Sequence, residues 1–193
     1  MPYQKDLLNV RPTKLALASG RLLISVPFFN DSFFNRSVVL LTDYGEEHSA
    51  GLILNHPLPY AVEQLVDELH VDAKMFLGGP VMPSGLFLLH NFDSCHEASE
   101  IVPGVRVGYD KVLLALIEHN AIPAMKFRFL MGYAGWSPGQ LEGELARRMW
   151  VVSKATSKLV FDTPPEEMWE TAVMQLGPAY AHWLKVPKFV CLN

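Results

Sequence analysis

The chain has 193 residues, half of them apolar, and carries a formal net charge of −4 from 16 basic and 20 acidic side chains. A chain of this length can bury one substantial core, and this much apolar content excludes a disordered protein. The acidic balance, with Arg147-Arg148 the longest basic run, disfavours nucleic acid as a partner.

The opening segment MPYQKDLLNVRPTKLALASG interleaves charge with short apolar pieces and shows no secretory apolar region followed by a cleavage site. Cys95 and Cys191 are too few and too far apart for a disulfide framework. A cytoplasmic location is therefore expected. No membrane association is expected either, since the longest strongly apolar run, Val112–Ile117, is too short to span a bilayer.

Arg21–Val26 and Ser37–Leu41 are aliphatic and β-branched and flank the turn-rich PFFNDSFFNR, so both read as strands. Ala50–Asn55 follows the polar connection Asp43–Ser49, which predicts that it pairs antiparallel with Ser37–Leu41. In Tyr60–Leu69 the apolar positions Val62, Leu65, Val66 and Leu69 have the spacing of one helical face. Lys74–Leu77 and Leu86–His90 read as short strands around the turn Gly78–Gly85, and Phe92–Pro103 as a loop. Asp110–Glu118 reads as a helix with Asp110 as N-cap. Lys126–Met131 alternates charged and apolar residues before turning wholly apolar, as a strand entering a core would. Two helices are expected after Ser137 and after Thr163, the second opened by Thr-Pro-Pro-Glu and closed by Gly177. No linker or repeat divides the chain, so residues 1–193 are expected to form one α+β domain with a mixed, mostly antiparallel sheet.

Several catalytic signatures are absent: no G-x-S-x-G elbow, Walker A loop or G-x-G-x-x-G occurs. Cys95-His96 has no second Cys/His pair at finger spacing, and no metal or cofactor is expected. The informative stretch is Gly132–Glu144. Ser137 as N-cap, Pro138 at the first helical position and Gln140 reaching back form a capping box, with Trp136 and Leu141 as a hydrophobic staple. Capping leaves Gly132, Tyr133, Gly135 and Glu142 unexplained. The glycines would let a backbone or a ligand approach just before a helix N-terminus.

GYAGWSPGQLEGE, with GRLLISVPFFNDSFFNRSVVLL, GLILNHPL and FLGGPV-x6-LLH, resembles the AlgH/YqgE family of bacterial proteins from about Ser19 to Gly177. The resemblance implies a compact α+β fold with coiled, bifurcated β-sheets and a cytosolic location. It carries over no catalytic residues. A transcription-related label attaches to some family members, but the sequence contains no evident helix-turn-helix. DYGEEHSAG and Phe92–Pro103 match the family loosely.

Within the resembling regions the candidate binding residues are Asp31, Arg36, Asn55, Gly78, Gly79, His90, Gly132, Tyr133, Gly135 and Glu142. Asp31 reads as a cap or Asx-turn. Arg36 reads either as an ion-pair partner, for instance of Asp31, or as an anion contact. Asn55 and His90 end strands, and Gly78-Gly79 forms a turn. The leading expectation is a non-enzymatic regulatory or interaction protein that binds another protein or a small anionic ligand. One alternative is a hydrolase or transferase for an anionic substrate, with Arg36 holding the anion and His90 or Glu142 as acid/base. The other is a DNA-binding regulator.

Overall fold

A computed structural model describes residues 13–28, 33–122 and 125–187. Strands β1 (Arg21–Ser25), β2 (Val38–Tyr44) and β3 (Ser49–Ile53) form an antiparallel meander. Their apolar runs are continuous because both faces are covered. Leu22, Ile24, Val38, Leu40 and Leu52 enter one core cluster, while the alternating Leu23, Val39, Leu41 and Ile53 enter another.

The chain continues through β4 (Pro57–Ala61), β5 (Lys74–Leu77), β6 (Val81–His90), β7 (Ser99–Val102), β8 (Val105–Val107), β9 (Phe127–Trp136) and β10 (Trp150–Lys154). The sheet runs in the order β10-β1-β2-β3-β9-β6-β8-β7. β9 organises it. Its end, Ala134–Trp136, pairs with β3, whereas Phe129–Met131 pairs in parallel with β5, and β6 lies along the opposite edge. The sheet therefore forks beside Gly132, whose φ of 68° bends the strand between its two partners on that edge. The expected α+β class with a curled, mostly antiparallel sheet is observed.

Helices α1 (Lys111–Glu118), α2 (Gln140–Ala146) and α3 (Pro165–Gln175) pack around this sheet. Asp110 caps α1 as expected, its carboxylate accepting from the Leu113 N–H at 2.7 Å. α3 and the following 3-10 segment Pro178–Lys185 cover the face carrying Leu22 and Leu40. Trp169 and Trp183 stack there with centroids 6.3 Å apart, and the Trp169 indole donates to the Ser25 carbonyl at 2.9 Å. On the opposite face, Trp136, Leu141 and Trp150 form the second cluster. Among the described residues, no helix is long and apolar enough to cross a membrane.

Several local expectations are corrected. Tyr60–Leu69 is not a helix. Tyr60 and Ala61 complete β4, and Val62–Gln64 forms one 3-10 turn. The Val62 N–H is taken by the Ala73 carbonyl, and the Gln64 side chain accepts from the Ala61 N–H. Of the four apolar positions on that expected face, Val62 and Leu69 are buried, Val66 is half-buried and Leu65 is exposed. Phe92–Pro103 is not all loop, because Ser99–Val102 pairs with β8 around Pro103-Gly104. β6 begins at Val81 within the expected turn, and β9 continues through Met131 as far as Trp136. Trp150–Lys154, which was not among the expected strands, pairs along the whole of β1. Neither expected hydroxyl cap forms. Gly139, at φ 72°, precedes α2 after a Ser137–Gln140 turn, and Pro164 precedes α3. Only the returning half of the α2 capping box survives: the Ser137 N–H donates to Gln140 Oε1 at 3.1 Å.

Candidate functional site

The Arg36 turn is built by side chains that imitate backbone. Asn55 lies just beyond β3. Its Oδ1 accepts from the Val38 N–H at 2.8 Å and its Nδ2 donates to the Arg36 carbonyl at 2.9 Å, extending the ladder where the strands part. This fixes Arg36 in a left-handed backbone conformation, φ 50°, which a branched or long side chain adopts at a cost. The guanidinium then lies over the Trp169 ring, 4.5 Å from its centroid, and donates to the Val186 carbonyl. Glu170 approaches it at 3.9 Å, a long separation to a half-exposed carboxylate, so this ion pair contributes little. Arg36 Nε has no hydrogen-bond partner among the described residues. Burial lowers the Arg36 pKa, and the Glu170 charge opposes that. Asp31, the partner suggested for Arg36, lies outside the described residues.

Beside Arg36 opens a pocket of about 170 Å³ lined by Asn35, Asn55, His56, Pro165, Trp169 and two carboxylates, Glu166 and Glu170. His56 is an addition from the structure. Its Nε2 lies 3.3 Å from Ser37 Oγ, and burial lowers its pKa against an opposing hydrogen bond with the Asn35 backbone. The pair does not make a nucleophile and base. Ser37 is fully buried, and its hydroxyl already donates to the Phe33 carbonyl at 3.0 Å.

The glycine-rich approach is explained by backbone crossing. A Cβ on Gly78 would lie 2.1 Å from the Gly132 oxygen, and one on Gly132 would lie 2.4 Å from the Gly79 oxygen. One on Gly79 would meet the Tyr133 carbonyl carbon at 2.2 Å. The Gly78 N–H donates to the Met131 carbonyl at 2.7 Å, which holds the turn against β9. The close approach foreseen here is therefore made by another stretch of chain. Tyr133 packs its edge against Phe87, with centroids 5.8 Å apart. Gly135 pairs with Ala50 at the surface.

His90 is fully buried. The Phe92 N–H donates to Nδ1 at 3.1 Å, so Nε2 carries the hydrogen and donates to the Gly108 carbonyl at 3.1 Å. Burial, the main cause, pushes its pKa down and keeps it neutral. Glu142 is exposed on α2 and accepts from the Tyr44 hydroxyl at 2.7 Å, which raises the tyrosine pKa. Neither His90 nor Glu142 lines the Arg36 pocket, so the acid/base constellation required by the hydrolase or transferase reading is not assembled. Its neighbour Glu144 performs the structural work in this corner. One oxygen accepts from both Trp136 Nε1 at 2.9 Å and Trp150 Nε1 at 2.8 Å, and the other accepts from Gln140 at 3.0 Å.

Arg128, on β9, is a second residue outside the sequence-derived set. It is only 7% exposed, lies over the Phe76 ring at 4.4 Å and donates to the Leu54 carbonyl. Burial lowers its pKa to about 10, so it remains charged at neutral pH. The available signal was a lone arginine between Phe127 and Phe129 in a strand that enters the core. Among the described residues, no group of three or more His, Cys, Asp or Glu side chains is placed to hold a metal.

The AlgH-like family model matches residues 22–181. The UPF0301 protein of Bacteroides thetaiotaomicron is 32% identical over the full length of both chains. That of Chlorobaculum tepidum is 36% identical over 95% of this chain and 96% of its own. The solution structure of AlgH from Pseudomonas aeruginosa superposes with a TM-score of 0.71 at 26% identity, covering 93% of this chain and all of that one. Protein DIP2367 from Corynebacterium diphtheriae shares the fold, with a TM-score of 0.76 at 19% identity over 94% of this chain and 98% of its own.

Proposed function

The chain belongs to the AlgH-like family, and on that premise we propose that it is a cytoplasmic, non-enzymatic regulatory or interaction protein that grips an anionic group of its partner at Arg36. The observation that carries this reading is Arg36 itself. A non-glycine residue is held at positive φ so that a largely buried guanidinium, stacked on Trp169, lines a pocket. Backbone strain retained beside a concave charged surface is characteristic of binding sites. Neither His90 nor Glu142, the acid/base candidates of the sequence, is among the described residues that line this pocket, which supports binding over turnover. Phe34 ties this turn to the Trp136 corner, packing on Trp136 and Trp150 at 6.4 and 5.5 Å, so that the two form one continuous structural unit.

The test is an NMR titration of the intact protein with acetate and with inorganic phosphate, at constant ionic strength against chloride. Saturable shifts are expected at the Trp169 indole and the Arg36 side chain, lost in Arg36→Gln and retained in part in Arg36→Lys. A folded Arg36→Gln variant that responds like the parent would refute the assignment, as would a parent that gives no saturable shift.

A further inference from the structure

We propose that the cavity around Arg128 is a separate ligand site for a small organic anion with a flat, apolar body, of the chemical class of the aromatic carboxylates. The cavity measures about 330 Å³, within the range of small-molecule sites. Arg128 and Lys74 supply its positive charge, and Phe76, Phe161, Pro164 and Pro165 supply apolar wall, whereas the Phe127 and Phe129 rings turn to the opposite face of β9 and pack in another core cluster. Asp162 is the one acidic side chain in this lining, and it is engaged by the Lys126 ammonium at 2.6 Å.

A buried arginine is costly. Burying a cation without a counter-charge is unfavourable, and among the described residues no ion pair engages Arg128. Its hydrogen bond to the Leu54 carbonyl uses one N–H of the guanidinium fork. A neutral glutamine could supply a similar tie without desolvating a charge. What a neutral side chain cannot supply is a planar pair of donors for a carboxylate, and Arg128 presents such a fork to a cavity with a second cation, Lys74, at its exposed rim. Stacking on Phe76 holds the guanidinium plane in place before any ligand arrives. An inorganic anion would leave the apolar wall of Phe161, Pro164 and Pro165 unfilled, and a neutral arene would leave the guanidinium unpaired. Both halves of the ligand are needed.

The experiment titrates the intact protein with benzoate, benzamide and inorganic phosphate, following the backbone amides of Arg128, Phe129 and Phe161 by NMR. Benzoate is expected to bind saturably, and benzamide and phosphate at least about tenfold more weakly, the value of one charge-assisted hydrogen bond. Arg128→Met should abolish benzoate binding. Lys74→Glu, at an exposed position, should weaken it several-fold with the remaining spectrum unchanged, which keeps the test informative if the methionine variant misfolds. Arg36→Gln should leave benzoate binding intact, separating this site from the Arg36 pocket. Equal binding of benzoate and benzamide, or of benzoate and phosphate, overturns the proposal. So does parental affinity in either Arg128→Met or Lys74→Glu, loss of binding in Arg36→Gln, or no saturable benzoate response at all.

Discussion

Replacing Glu144 by alanine removes the shared acceptor of two indole N–H groups whose rings are almost completely buried, Trp136 at 4% and Trp150 at 2% exposure. Each buried donor left without a partner costs about 1–3 kcal/mol. Glu144 itself is half-buried, so water can reach part of the vacated space, and the two together should cost about 3–5 kcal/mol. For a chain of this size that corresponds to a fall in Tm of roughly 6–20 °C. Glu144→Gln should be milder, at about 1–2 kcal/mol. Its carboxamide oxygen can still accept both indoles, but its NH2 then faces Gln140 Nε2. Gln140 cannot turn to relieve this, because its own Oε1 is held by the Ser137 N–H. Urea unfolding, followed by tryptophan fluorescence and far-UV circular dichroism, measures all three proteins. Glu142→Ala, two residues away and exposed, serves as control and should stay within about 0.5 kcal/mol. A Glu144→Ala variant no less stable than that control would refute the account of how this corner is held.

Three other outcomes are expected. Asn55→Ala should cost about 2–3 kcal/mol in chemical denaturation, since the Val38 N–H and the Arg36 carbonyl both lose a partner; Asn55→Asp, which keeps the acceptor, should lose less. Gly132→Ala should lose more than about 3 kcal/mol or fail to fold, because its Cβ would lie 2.4 Å from the Gly79 oxygen at a backbone φ of 68°, whereas Gly143→Ala, whose Cβ meets nothing within 4 Å, should be neutral or stabilising in the same assay. Burial holds His56 and His90 below the ordinary imidazole range, so below about pH 6.5 the unfolded chain binds protons that the folded chain does not. Stability should therefore fall as pH drops from 6.5 toward 5, and the urea midpoint of His90→Asn should depend less steeply on pH over that interval.

The elements legible in the sequence were those specified by neighbouring residues. The pairing of β2 with β3 follows from two aliphatic runs joined by a short polar connection, and Asp110 caps α1 through contacts three residues away. Lys74–Leu77 was bounded by glycines that do end the strand. Failures came where a distant partner outbid the local pattern. Val62 has helical apolar spacing around it, but its N–H bonds to Ala73 across the sheet region. Ser137 looks like a cap, yet Trp136 is drawn into contact with Trp150 and Glu144, and the chain turns once more before α2 begins at Gln140.

The candidate residues divide in the same way. Sequence alone marked Gly132 and Gly135 as places of close approach and Gly78-Gly79 as a turn, and it singled out Arg36 as a charge at a strand start. It could not show that one glycine turn crosses the other strand, since that contact joins residues more than fifty positions apart. Nor could it distinguish a guanidinium in solvent from one laid over Trp169 or Phe76. Local composition determines which backbone shapes are affordable and which faces are apolar. Desolvation of a charge and the filling of its hydrogen bonds depend on what the fold brings from elsewhere, and those decided the roles of Arg36, His90, Arg128 and Glu144.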